Sequence, residues 1–290
     1  MTPLVECEGT PRDLGGAQGR ACREALRLGC RRANGEGLRL PGARRAAVRR
    51  ALRDVRRHFP HQAEQLEGIA RGAGLGPARI GRAMLEVLEG ASRGPALASA
   101  RPDAPLVARA APSGALLRRT RPEGRFRSIE LTLAALTTAL LGVNDRGLAL
   151  ACDAGPPQPG SCAAPAALLV RDCLERFADV EPALEWCMQR PAAPGAAILM
   201  ADGLGRVAGV QIAQGERRVL RSGAGLLRVI DGSRVEALAL DALGAAAPDS
   251  SSSPQALAAA LGPGTPALAW ADPVGRRIRL PGADAAWLGV

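Results

Sequence analysis

The sequence predicts an α+β layered sandwich, in which helices and hairpin-connected strands occupy separate blocks of the chain. Residues 1–90 carry helical periodicity and helix-capping signals, whereas the strands expected after residue 91 are mostly joined by short turns. A doubly wound parallel sheet would need strands and helices to alternate. We therefore expect a single domain, 1–290, with a mainly helical N-terminal segment, 1–90, and a sheet-forming core segment, 91–290.

The composition indicates a globular protein with few aromatic side chains. Of the 290 residues, 47% are hydrophobic, 23% are charged and 2% are aromatic, so leucine, valine, isoleucine and alanine must fill the core. The formal net charge is +10, and all 38 basic residues are arginine. One interpretation of this excess is an arginine-rich surface for nucleic acid or phosphate. The interpretation we favour is the codon usage of a GC-rich genome. Single-stranded nucleic acid stacks on aromatic rings, so their scarcity disfavours nucleic acid as a partner.

Cysteine and histidine usage argues against disulfides, metal sites and cofactors. The seven cysteines are odd in number and no pair has CxxC spacing, and the only histidines are His58 and His61. We interpret both histidines as residues of a helix junction rather than as bases. No stretch resembles a signal peptide or is apolar enough for a membrane span. We therefore expect a cytoplasmic protein with reduced thiols, no cofactor, no metal and no membrane partner.

Four helices are predicted in the N-terminal segment, after a short strand at residues 4–8. They begin at capping residues or prolines and end near glycines, which are the residue types that favour helix starts and ends. The first, for example, begins at Thr10 with Pro11 in its first turn. The predicted helices cover residues 10–30, 42–59, 60–74 and 77–90.

The second of these helices carries the strongest charge cluster of the chain. One face is apolar, and the other carries seven arginines against a single acid, Asp54. The apolar positions are Val48, Leu52, Val55 and Phe59, and the arginines are Arg44, Arg45, Arg49, Arg50, Arg53, Arg56 and Arg57. A solvated helix face is the simpler interpretation. The alternative is a docking face for an acidic partner, a nucleotide or another polyanion, which predicts salt-dependent binding.

The core segment is expected to contain many strands and a few helices. Turn signals separate the strands, such as the tetrapeptide Asn-Asp-Arg-Gly at residues 144–147, which has the residues of a tight hairpin. Strands are predicted at residues 106–110, 126–133, 140–143, 148–152, 196–201, 206–213, 217–221, 226–230, 266–271 and 276–280. Helices are predicted at residues 163–178, 181–189 and 234–243, with a short one after the low-complexity loop 245–253.

Five short motifs follow one another along the chain. They are Gly9-Thr10-Pro11, the helix at 64–72, the hairpin at 142–147, the helix at 167–175 and the hairpin at 272–277. In order and spacing they resemble the isopenicillin N acyltransferase family of N-terminal-nucleophile (Ntn) hydrolases. The resemblance extends from Cys7 to about Pro281. It implies a four-layer αββα sandwich and an acyltransferase or amidohydrolase activity.

The resemblance also implies a mechanism whose nucleophile this chain lacks. In the family, a precursor cleaves itself at a Gly-Cys bond, and the freed cysteine attacks the acyl donor with its own α-amine as the base. An asparagine supports the oxyanion hole. The corresponding position here is Ala91, or Pro95 if the preceding loop is short, and neither residue has a thiol or a hydroxyl. Three further polar sites are replaced, at residues 110–112, at residues 229–231 and at Gln211.

Several side chains near this position are weaker candidates. Ser92 becomes the nucleophile if cleavage moves by one residue, and Ser99 lies in the same segment, although a loop serine is the simpler interpretation of each. Cys152 ends a predicted strand and is expected to be a small buried hydrophobe. Arg109 and Asn144 are the candidate ligand-binding residues, Arg109 for an anion in the former pocket.

These observations lead to three hypotheses. The first is a catalytically degenerate acyltransferase-family protein that stays a single unprocessed chain and binds a small acyl or amide ligand or a protein partner. The second is an active, self-processed acyltransferase or amide hydrolase with a non-cysteine nucleophile such as Ser92. The third is a basic module that binds polyanions through the helix at residues 44–57.

Overall fold

Two β-sheets packed face to face form the centre of the molecule. The computed structural model describes residues 2–35, 42–90, 94–100, 105–154, 162–222, 225–229, 235–239, 268–280 and 287–290. Within these residues the chain forms seven helices and fifteen strands. One sheet has eight strands and the other has seven, and the described helices that contact a sheet lie on the outer face of the larger one. The predicted α+β sandwich is confirmed.

The helices begin and end much as their capping residues predict. They are α1 (Pro11–Ala21), α2 (Arg23–Gly35), α3 (Gly42–His58), α4 (Pro60–Ala73), α5 (Pro77–Gly90), α6 (Leu168–Leu174) and α7 (Val180–Gln189). Thr10 forms a capping box with Asp13 at the start of α1, and Gly74 ends α4 with a left-handed φ of 69°. The helix predicted at residues 10–30 is two helices, which meet at Cys22. None of the described helices is both long and apolar enough to cross a membrane.

The strands are joined mainly as antiparallel neighbours. In chain order they are β1 (Leu4–Gly9), β2 (Ala96–Ser99), β3 (Leu106–Ala110), β4 (Leu116–Pro122), β5 (Ser128–Thr132), β6 (Leu141–Asn144), β7 (Leu148–Ala154), β8 (Ala196–Asp202), β9 (Val207–Ala213), β10 (Glu216–Ser222), β11 (Gly225–Val229), β12 (Val235–Ala239), β13 (Leu268–Asp272), β14 (Arg277–Arg279) and β15 (Trp287–Gly289). Sheet A has the order β1-β4-β5-β6-β7-β8-β9-β10, and sheet B has the order β12-β11-β2-β3-β13-β14-β15. Among the described strands, only β1, which pairs with β4, runs parallel to its neighbour.

Each face of sheet A packs against a different layer. Aliphatic side chains such as Val107 and Leu199 fill the space between the sheets, whereas Leu14, Ile69 and Leu168 belong to the core between sheet A and the helices. Strand alternation therefore decides which layer a side chain joins. The short helix predicted after the loop 245–253 lies outside the described residues.

Five features of the core segment differ from the prediction. The helix expected at residues 234–243 is strand β12 over its described part, because it pairs along β11 and turns Val235 into the inter-sheet core. The helix expected at 163–178 is confined to α6, because Pro165 forms a β-bridge with Ala193. Strands β2, β4 and β15 were not predicted. The interior of β4 contains a buried arginine, Arg118, which hides the usual alternation.

Helices α1 and α4 pack backbone to backbone. A Cβ atom added to Gly15 would lie 2.0 Å from the Gln65 carbonyl oxygen, and one added to Gly68 would lie 2.2 Å from that of Arg12. Such distances leave no room for a side chain, so only glycine permits this approach. The glycines at the contact are Gly15, Gly19, Gly68 and Gly72.

The seven cysteines are all free and buried. The sulfur atoms of Cys173 and Cys187 lie 3.6 Å apart between α6 and α7. Over the described ranges, no group of three histidine, cysteine or acidic side chains is arranged to hold a metal ion.

Candidate functional site

The strand that would follow the nucleophile is β2, which begins at Ala96. Gly94 and Pro95 lead into it, and the Pro95 carbonyl accepts a hydrogen bond from the Ala110 amide at 3.0 Å. Pro95 is therefore part of the β2–β3 hairpin and offers no reactive group. The alternative position, Ala91, and the candidate nucleophile Ser92 lie outside the described residues.

Arg109 of β3 points into the space between the sheets. Its cross-strand neighbours Ala96 and Ala269 belong to the inter-sheet core, and its own side chain is fully buried. A Cβ atom on Gly94 would lie 3.6 Å from Arg109 Nη2, so the guanidinium lies beside the segment that enters β2. Burial lowers the pKa of Arg109, and the nearby charge of Asp153 opposes that shift.

Asp153 supplies the acid beside Arg109. It lies on β7 opposite Ala197, a residue of the inter-sheet core, and is therefore turned between the sheets. Its Oδ1 accepts a hydrogen bond from the Gly94 amide at 3.2 Å. Sequence reasoning missed Asp153. The sequence did contain one signal for it: Asp153 is an acid that directly follows the predicted strand 148–152, in which every second residue is small and apolar.

Asp153 begins a row of side chains that crosses sheet A strand by strand, which we call the inter-sheet row. Its members on β7, β8, β9 and β10 are Asp153, Ala197, Gln211 and Arg218. The facing row on β3, β2, β11 and β12 is Arg109, Ala96, Val229 and Val235. Neighbouring strands lie about 4.8 Å apart, so the row places Gln211 about 10 Å from Asp153. Gln211 thus shares a row with Asp153, whose carboxylate binds the Gly94 amide, although 58 residues separate Gln211 from Asp153 in the chain.

A cavity of about 720 Å³ opens at the far end of the inter-sheet row. It lies between β10 and β12, the strands at that edge of each sheet. Its lining residues are Gln211, Arg218, Val219, Leu220, Val235, Glu236 and Ala237. The cavity is open to solvent, and its lining combines polar side chains, Gln211, Arg218 and Glu236, with apolar ones such as Leu220 and Val235. A concave surface that combines apolar and polar groups can take a small organic molecule.

Cys152 is turned away from the inter-sheet row. It precedes Asp153 on β7, so its side chain lies on the helix side of sheet A, where it is fully buried as expected. Burial raises the pKa of the Cys152 thiol to about 12. Such a thiol is protonated at neutral pH and is a poor nucleophile.

Asn144 holds the β6–β7 hairpin. Its Oδ1 accepts hydrogen bonds from the amides of Arg146 and Leu148, at 3.1 and 2.9 Å. Its Nδ2 donates to the carbonyls of Leu174 and Phe177, both at 2.8 Å. The hairpin is at the opposite end of β7 from the inter-sheet row, about 17 Å along the strand. The structure therefore does not bring Asn144 and Arg109 together, and the contacts of Asn144 fit a structural role.

The remaining candidates also lie apart from the row. Ser99 lies on the outer face of sheet B, because Ala96 and Ala98 of the same strand face inward. His58 and His61 lie at the junction of α3 and α4, as expected, with sheet A between them and the row. His61 Nε2 is 3.3 Å from Asp172 Oδ1. Burial lowers the pKa of His61, although two neighbouring carboxylates oppose the shift.

A buried polar network on the helix side of sheet A was not anticipated from the sequence. Arg118 on β4 is the cross-strand partner of Glu130 on β5, and its Nε donates to Glu130 Oε2 at 2.9 Å. Gln18 of α1 accepts from Arg118 Nη1 at 2.6 Å, and Ser128 donates to Glu130 Oε1 at 2.6 Å. These contacts fasten α1 to sheet A and leave the inter-sheet row on the other face.

Comparison with known proteins identifies similar structures only. No protein-family model and no curated protein matches the chain. One similar structure is a mutant of conjugated bile acid hydrolase from Clostridium perfringens, with 10% identity over 68% of this chain and 92% of that chain and a TM-score of 0.48. Penicillin V acylase from Agrobacterium tumefaciens has 16% identity over 44% and 49% of the two chains, with a TM-score of 0.33. The Caenorhabditis elegans ortholog of N-acylethanolamine-hydrolyzing acid amidase has 15% identity over 51% and 65%, also with a TM-score of 0.33.

The extent of these matches varies. The chain spans about half the length of the penicillin V acylase and of a second variant of the bile acid hydrolase, for which the TM-score is 0.37 and the identity 14%. At such identities the likeness concerns the fold alone. What the chain does must therefore be argued from its own residues.

Proposed function

We propose that this protein is a catalytically degenerate member of the Ntn-hydrolase superfamily, related to the isopenicillin N acyltransferases. It stays an unprocessed single chain and binds a small acyl or amide ligand between the edges of its two sheets. The observation that carries the proposal is the inter-sheet row, which extends to a cavity from Asp153, the residue whose carboxylate binds the Gly94 amide next to Pro95. The row has binding groups and no nucleophile.

The loss of catalysis follows from the chemistry available at the start of β2. Acyl transfer needs a thiolate or an activated hydroxyl within reach of the acyl carbon. Gly94, Pro95 and Ala96 offer neither, and the adjacent Arg109 cannot act as a base because its guanidinium stays protonated. Cys152 has a raised pKa and lies on the other face of sheet A. The groups described here support binding without turnover.

The ligand class follows from the cavity walls. Leu220 and Val235 belong to or pack against the inter-sheet core and offer apolar contact for an acyl chain. Gln211 has an amide that both donates and accepts, which matches an amide or a carboxyl group on the ligand. Arg218 adds a cation near the opening, where its Nε lies 2.8 Å from Glu216 Oε1. These features favour a small molecule with an apolar tail and an amide or carboxylate head.

The first experiment measures processing and turnover together. We expect the purified protein to give one mass near 29.9 kDa under denaturing conditions, since no new N-terminal nucleophile is formed. We also expect no turnover of acyl-coenzyme A or of chromogenic amides. Two fragments meeting near residues 90–95, or thiol-dependent turnover, would contradict catalytic degeneracy. If fragments appear, replacing Ser92 with alanine decides whether that residue is the nucleophile.

The second experiment tests the cavity as the binding site. N-acyl amino acids of increasing chain length are titrated into the protein by calorimetry, and Gln211→Ala is compared with Gln189→Ala. Gln189 is an exposed glutamine on α7 and is the matched control. We expect Gln211→Ala to weaken binding about tenfold, because one hydrogen bond to the ligand is lost. Equal affinity for both variants would place the ligand elsewhere, and no binding by the parent protein would remove the proposed ligand class.

A further inference from the structure

The positive charge of this chain is concentrated in its N-terminal segment. Residues 1–90 contain 17 arginines and 10 acids, whereas residues 91–290 contain 21 arginines and 18 acids. Helix α3 alone contains seven arginines and one acid. Codon usage acts on the whole chain and would not gather most of the excess on one helix. A local cause is therefore needed for the charge of α3.

The single acid of α3 does not neutralise its outer face. The Asp54 side chain is 10% exposed and turns toward the core, where Oδ2 accepts a hydrogen bond from the Ala163 amide at 2.9 Å. Arg53 Nε lies 3.6 Å from Asp54 Oδ1 and is itself largely exposed. Asp54 therefore anchors the helix to the protein and leaves the outer face to arginines.

Four arginines form a ridge that winds by about 120° around the exposed side of α3, away from its buried stripe. They recur every fourth residue and are exposed, namely Arg45, Arg49, Arg53 and Arg57. Four residues advance a helix by about 6 Å, so the ridge extends about 18 Å. Val55 and Ala51 are buried on the opposite side and fix the orientation of the ridge toward solvent. We call these four residues the α3 ridge.

Few carboxylates approach the arginines of α3 from neighbouring helices. Arg44 pairs with Glu89 at 3.2 Å, and Arg56 lies 4.0 Å from Glu67. Within the described part of the chain, Arg45, Arg49 and Arg57 have no ion pair. Three of the four ridge cations are thus available for an external anion.

A second group of arginines extends this basic surface across α4 to α1. Glu67 of α4 contacts Arg12 at 3.4 Å as well as Arg56, so the two groups adjoin. Beyond Arg12 lies a cavity of about 260 Å³. Its charged lining residues are the arginines Arg12, Arg20, Arg23 and Arg71 and the acids Glu8 and Asp13.

We infer that the α3 ridge docks on the sugar-phosphate backbone of duplex nucleic acid without reading its bases. Guanidinium groups bind phosphate through paired hydrogen bonds, and an evenly spaced row of cations suits a polymer with evenly spaced anions. The scarcity of aromatic residues disfavours single strands, which stack on rings, but not duplexes, whose bases stay paired. The apolar face of α3 is buried in the protein, so it cannot enter a membrane as interfacial helices do.

The test is titration of the full-length protein with a fluorescent duplex of mixed sequence, followed by anisotropy at several salt concentrations. We expect the logarithm of the affinity to fall with the logarithm of salt with a slope of about −0.9 per neutralised phosphate, hence about −4 for the four ridge arginines. The triple variant Arg45→Gln, Arg49→Gln and Arg57→Gln should reduce that slope by about 3 and weaken binding at least tenfold.

A matched control removes the same charge elsewhere. Arg121, Arg125 and Arg127 are exposed on the core segment, and their triple replacement by glutamine should leave the duplex affinity nearly unchanged. Equal losses in the two triple variants would show that total charge, not the α3 ridge, governs binding. A slope near zero would overturn the inference outright. If poly-glutamate competes as well as unlabelled duplex, an acidic protein is the partner and the inference is also wrong.

Two single variants separate binding from helix stability. Arg45→Glu places an acid in the first turns of α3, where the helix dipole favours it, whereas Arg57→Glu places one in the last turn, where the dipole disfavours it. The melting temperature should therefore rise in the first variant and fall in the second. Duplex affinity should fall in both. A loss of affinity only in the less stable variant would trace the effect to unfolding and contradict docking at the ridge.

Discussion

Glu130 is a fully buried carboxylate that stays charged because of its surroundings. Burial raises its pKa, but the charges of Arg118 and Arg171 and the hydrogen bond from Ser128 lower it more, so the pKa lies below the ordinary 4.5. A buried ion pair contributes little by itself, but breaking it leaves an uncompensated charge in a low dielectric. Burial of the charged Arg118 side chain therefore depends on Glu130 as much as burial of the Glu130 carboxylate depends on Arg118.

Glu130→Gln is expected to destabilise the protein by about 3–5 kcal/mol, because Arg118 then stays buried without its counter-ion. Urea unfolding at neutral pH measures the loss. The matched control is Glu216→Gln, which removes an exposed partner of Arg218 and should have no measurable effect. A loss below about 1 kcal/mol for Glu130→Gln would mean that water or other groups solvate Arg118.

The Glu130 carboxylate also makes the stability of the protein depend on pH, in a direction that follows from its pKa. The pKa of Glu130 is lower in the folded protein than in the unfolded chain. Its contribution to the free energy of unfolding is therefore complete above the pKa of the unfolded chain, and it is lost as the pH falls through the pKa of the folded protein. The stability difference between the parent protein and Glu130→Gln should thus be constant near neutral pH and shrink progressively below the ordinary pKa of 4.5. Urea midpoints of both proteins over an acid pH series measure this. A difference that grows toward acid pH would contradict the assignment.

The thiols are expected to be unreactive in the folded protein. All seven cysteines are buried, and burial raises the pKa of Cys152 to about 12, so little thiolate is exposed to reagent. With a disulfide reagent at mildly alkaline pH we expect less than one thiol per native chain to react, and all seven after denaturation. Rapid modification of a native thiol would show that a cysteine opens to solvent, and mass mapping would identify it.

At the scale of elements, the α1–α4 pair depends on glycine. Both helices bring a Gly-x-x-x-Gly pattern to the contact, at Gly15 and Gly19 and at Gly68 and Gly72. The close approach places α1 where its Gln18 reaches sheet A. A local sequence pattern thus sets the spacing of the helix layer above the larger sheet.

Replacing Gly15 with alanine should destabilise the protein by about 1–3 kcal/mol, since the new methyl group would meet the Gln65 carbonyl and force the helices apart. Gly29→Ala is the matched control. Gly29 lies in α2 with no atom near its Cβ position, so alanine there should leave stability unchanged or raise it by about 0.5–1 kcal/mol. Thermal and urea unfolding compare the two. Equal effects would contradict backbone contact between α1 and α4.

At the scale of the whole molecule, the N-terminal segment and the core segment contribute to the same sheet and the same hydrophobic core. Strand β1 pairs with β4 in sheet A, and Gln18 Nε2 donates to the carbonyls of Ala134 and Leu136 at 3.0 and 2.8 Å. Neither segment completes its hydrophobic core without the other. These contacts favour one cooperative unit, as the single-domain prediction requires.

We therefore expect one unfolding transition for the full chain. The three tryptophans, Trp186, Trp270 and Trp287, all lie in the core segment, whereas most of the helix in the described residues lies in residues 1–90. Urea curves followed by tryptophan fluorescence and by far-ultraviolet circular dichroism should have the same midpoint. Loss of helix at a clearly lower urea concentration would instead show that residues 1–90 unfold as a separate unit.

Much of the helical layer could be predicted from local sequence, and the site could be predicted only in part. Thr10, Pro60 and Gly74 are capping residues whose effect is confined to a few neighbours, so α1 and α4 begin or end where expected. Helix 234–243 was wrong in its described part, because pairing with β11 outweighs the local preference for helix. Gln211 was noticed only as a replaced position, and Asp153 was not noticed at all.

The sequence by itself determined the α+β class, most of the helices and hairpins, and the lack of a thiol or hydroxyl at Ala91 and Pro95, since each depends on residue identity and nearby neighbours. Only the tertiary structure decided that Arg109, Asp153 and Gln211 share one space and that Asn144 lies apart. The physical reason is that cross-strand register and sheet stacking arise from contacts between residues far apart in the chain. The face of the sheet to which a side chain points depends on that register.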